Sequence, residues 1–125
     1  VKAFLSLLPI ALGALTTSGA AESLQVLGYS GYLGEWEMTA TVTGTDSQPK
    51  EYAGPLTMKH VGLCTQEGPE EKTGVIRFHI SGLQLDAVLS VAGVACSYGG
   101  KLSDSYDGTL SCADREAVPL KLWVK

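Results

Sequence analysis

Beyond residue 35 the chain places an apolar side chain at every second position, in one short run after another. Trp36, Met38, Ala40 and Val42 share one parity, and Glu37, Thr39, Thr41 and Thr43 share the other. A period of two marks a strand with one buried face, and β-branched threonine suits its solvent side. After the turn chemistry of "TGTDSQPKE", the pattern resumes with Leu56, Met58 and His60, and Gly54-Pro55 limits where that run can begin. A charged loop, "LCTQEGPEEKTG", then leads into "VIRFHI", with Ile76, Phe78 and Ile80 inward and Arg77 and His79 outward. "SGLQ" makes a tight turn, and Leu83, Leu85, Ala87, Leu89 and Val91 form the next inward row, so the two runs predict a hairpin. "ACSYGGKL" and "YDGTLSC" predict a second hairpin around residues 103–105. "VPLKLWVK" closes the chain, with Val118, Leu120, Leu122 and Val124 opposite Lys121, Trp123 and Lys125.

No helical period interrupts this series, which predicts an all-β domain over residues 35–125 with about seven or eight short strands. A small antiparallel β-barrel is the expected architecture, because closure removes the unpaired strand edges; a β-sandwich is the alternative. Strands this short predict an interior filled by side chains.

The residues ahead of the domain read differently. Residues 1–21 combine a basic start, an apolar run of about a dozen residues and small residues at the end, the pattern of a cleaved Sec-type signal peptide. The run is too short for a membrane-spanning helix, which needs ~20 residues, and no cysteine follows it to carry a lipid. Residues 22–34 are polar and glycine-containing and read as an extended N-terminal arm. The expected location is therefore periplasmic or secreted.

That location changes the meaning of the three cysteines, Cys64, Cys96 and Cys112, since exported thiols oxidise. If the second hairpin turns at Asp104, Cys96 faces Cys112 and Tyr98 faces Leu110 on one side of the sheet. Opposed residues lie ~4.5–5.5 Å apart at Cα, within reach of a disulfide. Cys96–Cys112 is the expected bridge, with Cys64 pairing to either one as the rival. A loop of about 15 residues closed this way contributes about 3 kcal/mol in the chain-entropy account. An unpaired Cys64 leaves His60, four residues before it, and His79 as metal-ligand candidates, without the Cys-x-x-Cys or paired-histidine spacing of established sites. The plainer expectation is a buried Cys64, a hydrogen-bonded His60 at a strand end, a solvent-facing His79, and no metal or cofactor.

A net charge of −4 with no Lys/Arg cluster removes the electrostatic footprint of a nucleic-acid binder and of an anionic-membrane binder. Nucleophile elbows, phosphate loops and zinc-protease motifs are missing from the sequence. The acid pairs Glu70/Glu71 and Asp104/Asp107 are ordinary loop carboxylates, so the protein is expected not to be an enzyme.

Gly34-Glu35-Trp36 at the head of the first regular strand resembles the calycin group: lipocalins, avidins and the bacterial periplasmic metalloprotease inhibitors. The last of these is nearest in length, and it too carries about a dozen residues ahead of the Gly-x-Trp. The combination of Trp, Cys and the C-terminal "PLKLW" also resembles small exported bacterial proteins without an assigned role. The calycin resemblance implies that Trp36 plugs one end of the barrel, with Gly34 beside it. It also implies that the arm from Glu22 to Gly31 enters a protease cleft, with Glu22, Ser23, Leu24 and Gln25 as contact residues. That inhibitor family carries one disulfide near its first strand, whereas the cysteines here lie later. The functional expectation is an exported, non-enzymatic binding module for a protein partner, with inhibition of an envelope or periplasmic hydrolase (a protease) as the role the resemblance implies. The alternatives are a small-ligand-binding barrel walled by Trp36, Tyr98 and Tyr106, and a redox- or metal-responsive protein using Cys64.

Overall fold

The computed structural model describes residues 22–46, 50–61 and 70–125. Eight antiparallel strands follow one another around a closed barrel: β1 (Ser23–Ser30), β2 (Trp36–Gly44), β3 (Tyr52–His60), β4 (Glu71–Ser81), β5 (Gln84–Val91), β6 (Val94–Leu102), β7 (Tyr106–Cys112) and β8 (Val118–Val124). The barrel reading of the sequence is thus correct, and the sandwich is not formed. The expected signal peptide and Cys64 lie outside the described residues.

The arm expected over residues 22–34 is corrected. Residues 23–30 are a full member of the wall, paired with β2 on one side and with β8 on the other. The reason is visible in the same period of two: Leu24, Val26, Gly28 and Ser30 face inward, and Val26 is buried. Glycine and serine on the inward row weaken the apolar signal without changing the geometry. Each proposed contact residue is committed to the barrel. Glu22 accepts hydrogen bonds from Lys50 at 2.7 Å and Tyr52 at 3.0 Å, and these, with the Lys50 bond foremost, hold its carboxyl below the usual range. Ser23 pairs with Thr43, Leu24 packs on the core, and Gln25 exchanges backbone bonds with Lys125.

Alternation places the core as expected. Met38, Val42, Ile76, Phe78, Leu85, Leu120 and Leu122 are the largest fully enclosed side chains. Leu83 departs from its predicted row: it occupies the two-residue turn with Gly82 and is exposed. Gly82 has φ +61, the conformation a tight hairpin needs at its first central position. The β5–β6 hairpin is turned by Ala92 and Gly93, both at positive φ (51° and 82°), so an alanine occupies a left-handed position that favours Asn or Gly.

What closes so short a sheet is steric. Gly28, Gly54, Gly74 and Gly108 all lie on inward rows, and at each the neighbouring strand comes to where a Cβ would be. A methyl at 54 would run into Thr41 O, at 74 into Ser90 O, and at 108 into Gly99 O, far inside van der Waals contact. At 28 it would meet Leu122 Cδ2 at 2.6 Å and Lys121 O at 2.9 Å. These contacts fall at alternate strand junctions, β2/β3, β4/β5, β6/β7 and β8/β1, giving a barrel with four tight corners.

Gly54→Ala or Gly74→Ala is expected to lose about 3 kcal/mol or more of stability, because backbone must move to admit the methyl. Gly99→Ala, whose Cβ meets only side-chain atoms at 3.4 and 3.5 Å, is expected to stay within about 0.5 kcal/mol of the parent. Urea midpoints compare the three; equal losses would show that the corners are not the constraint. Ala92→Asn is expected to gain about 0.5–1 kcal/mol by the same measurement.

Candidate functional site

The odd-numbered strands end, and the even-numbered strands begin, at one mouth of the barrel, so Ser30, Trp36, His60, Glu71, Val91, Val94, Cys112 and Val118 ring it. The opposite end is filled. Tyr52 stacks on Phe78 at 5.4 Å, and the Tyr98 hydroxyl lies 3.0 Å from each of two backbone carbonyls that can accept its proton, Tyr106 O and Leu120 O. Gly100 leaves the room that the Tyr98 ring takes, and burial pushes the phenol well above its ordinary pKa. Tyr98 and Tyr106 therefore belong to the packed core and are not walls of an opening; only Trp36 of that expected trio lines one.

At the first mouth the filling stops short. A cavity of about 110 Å³ remains, walled by Trp36, Met58, Val94, Leu110, Val118 and the Cys96–Cys112 bridge. Ser30, Glu35, Lys72 and Arg115 supply its polar edge. The sequence predicts a filled interior, and this end is where that expectation fails. The inward row of β4 starts with Lys72 and Gly74 before it reaches Ile76, so no bulky apolar group closes this end from that strand.

Trp36 is half-buried over this space. Its indole lies 4.6 Å from the His60 ring, centroid to centroid, and the Lys72 ammonium sits 5.1 Å from the indole centroid. A cation over an indole face is an attractive arrangement. Gly34 serves Trp36 through its own φ of +66°, which turns the chain into β2; its missing Cβ faces only Tyr29 at 3.8 Å. The loop before it is fixed by Glu35, whose carboxylate folds onto Gly31 and accepts the Leu33 N–H at 3.1 Å. That loop holds Tyr32 and Leu33 out in solvent, 79% and 92% exposed, at the edge of the opening. Across the mouth Arg115 donates to Asp114 through Nε at 3.0 Å and Nη2 at 3.2 Å; these bonds hold the Asp114 carboxyl below its usual range and raise Arg115.

The Cys96–Cys112 bridge is formed, at an S–S distance of 2.02 Å, between facing residues of β6 and β7. The metal candidates are not brought together. His60 is at the mouth, with its Nδ1 buried and without a partner among the described residues, while His79 lies farther down β4, 3.8 Å from Asp86. Among the described residues no group of three or more His, Cys, Asp or Glu is placed to hold a metal ion. One acid of each pair has a structural partner: Glu71 lies 3.8 Å from Lys59, and Asp107 accepts the Ser103 and Ser105 hydroxyls across the β6–β7 turn. Sequence reasoning missed Lys72, Glu35, Arg115 and Ser30. For Lys72 the signal was present, because extending the β4 parity two residues upstream of Gly74 puts a lysine on the inward side.

Replacing both bridge cysteines, Cys96→Ala with Cys112→Ala, is expected to cost about 3 kcal/mol. The parent's urea midpoint should fall on adding reductant and the double variant's should not; a parent indifferent to reductant would contradict a stabilising bridge.

Comparison with family models, curated protein sequences and solved structures returns no match for this chain.

Proposed function

We propose that the protein is an exported, non-enzymatic binding module that takes part of its ligand into the open end of the barrel, beside Trp36. The observation that carries this reading is the 110 Å³ cavity at the mouth. It is a largely apolar space at an open end, where solvent and ligand can reach it, which is the usual form of a small-molecule site. The Cys96–Cys112 bridge is compatible with an oxidising, extracytoplasmic compartment.

Binding, rather than catalysis, suits the groups at the edge: Glu35 is occupied by a backbone N–H and Arg115 by Asp114, around walls of apolar and sulfur-bearing side chains. The inhibitor expectation depended on a free arm, and both edges of β1 are hydrogen-bonded within the barrel. Contact with any protein partner therefore shifts from the N-terminal segment to the mouth.

Xenon tests the reading without presuming a ligand, since apolar cavities of this scale take it up. Under xenon pressure the methyl resonances of Met58, Val94, Leu110 and Val118 are expected to shift saturably, and Val118→Phe is expected to abolish the effect by filling the space. Methyl shifts that stay flat, or that appear equally on the outer wall, would overturn the proposal.

A further inference from the structure

The mouth also carries a chemical preference, an inference that rests on the binding reading above. We propose that it selects carboxylates bearing a compact apolar group, the carboxylate meeting Lys72 and the apolar group entering the cavity beside Trp36.

Lys72 is the anomaly that points there. It stands on the inward row of β4, directly across from the buried Met58, in a position where a closed barrel normally carries an apolar side chain. The residue is half-buried at the cavity edge with its ammonium over the indole, and it has no carboxylate within 4.0 Å among the described residues. The other cations of this end are placed differently: Lys59 has Glu71 and Arg115 has Asp114. The carboxylates nearby are also engaged, Glu35 with the Leu33 N–H and Asp114 with Arg115. Among the described residues, the mouth therefore offers a ligand an ammonium with no ion-pair partner within 4.0 Å, reached by the Asp114 charge only at longer range, beside an apolar hole. A carboxylate there gains a charge-assisted hydrogen bond in a partly desolvated setting, where such bonds are strongest.

Volume limits the apolar part. A 150 Å³ apolar cavity is known to accept benzene, so 110 Å³ admits a group of about three or four carbons, the size of a valine or leucine side chain. The same chemistry has two sources: a free branched short-chain acid, and the last residue of a peptide, whose α-carboxylate adjoins its side chain. In the second case the rest of the peptide would leave past Tyr32 and Leu33.

The experiment titrates the full chain with 3-methylbutanoate and with its neutral amide, and separately with acetyl-Gly-Leu as free acid and as amide, following the same methyl resonances. In at least one pair the acid is expected to bind about tenfold more tightly than the amide, the scale of one charge-assisted bond. Lys72→Met is expected to erase that difference while leaving the amide's affinity in place, and Lys72→Arg to retain it. A preference confined to the peptide pair assigns the site to chain ends, and one confined to the free acid assigns it to small molecules; either upholds the inference. Equal affinity of acid and amide in both pairs would overturn it and leave the cavity reading standing. An acid preference that survives Lys72→Met would overturn the role given to Lys72. No binding in either pair, with xenon uptake intact, would overturn the carboxylate inference alone; loss of both would remove the cavity reading with it.

Discussion

Backbone-to-backbone approach at four glycines is the constraint on which the rest of the structure depends. A sheet of strands seven to eleven residues long must curl steeply to meet its own edge. Gly28, Gly54, Gly74 and Gly108 let it do so, each removing the one atom that would hold two strands apart at a corner. Pro55 beside Gly54 belongs to the same device. It donates no ladder bond, and the β2–β3 pairing is interrupted there between Ala40↔Leu56 and Thr43↔Ala53. Closure then leaves every described strand with two neighbours, and the barrel has no open edge.

The corners also explain why the two ends differ. Inward glycines carry no volume, so the core must be completed by larger side chains on neighbouring rows. Away from the mouth Tyr98, Phe78 and Tyr52 do this, helped by the space Gly100 leaves. Toward the mouth the inward row of β4 offers Gly74 and then Lys72, and the disulfide between β6 and β7 is slimmer than a pair of large aliphatic residues. Trp36 spans part of the remaining width, and the rest is the cavity. The cavity is thus a by-product of how the barrel is closed, with charged side chains at its edge.

Much of this was legible in the sequence because a period of two reports which side of a strand is buried. It located the rows of β2, β5 and β8, and the symmetry of residues about Asp104 was enough to set Cys96 opposite Cys112. It failed where the inward row is not apolar. Gly28 and Ser30 disguised β1 as an arm, and Lys72 and Gly74 made β4 look as though it began at Val75. Leu83 misled in the opposite sense, an apolar residue of the right parity that lies in a turn. The glycine corners had no local signature at all. A strand glycine shows its purpose only when the strand that crowds it is known, and that strand is set by tertiary register.

The pairing of β1 with β8 joins the two ends of the described chain, down to the mutual backbone bonds of Gln25 and Lys125, with the Tyr29–Trp123 ring contact on the outer wall beside it. A polypeptide built this way cannot complete itself from one end while the other is still being made. Until the final strand arrives, the first has an unpaired side, and any shorter version presents two ragged flanks that can join those of a neighbour. Such a chain gains from acquiring its shape in a single late step, once β8 is present to pair with β1.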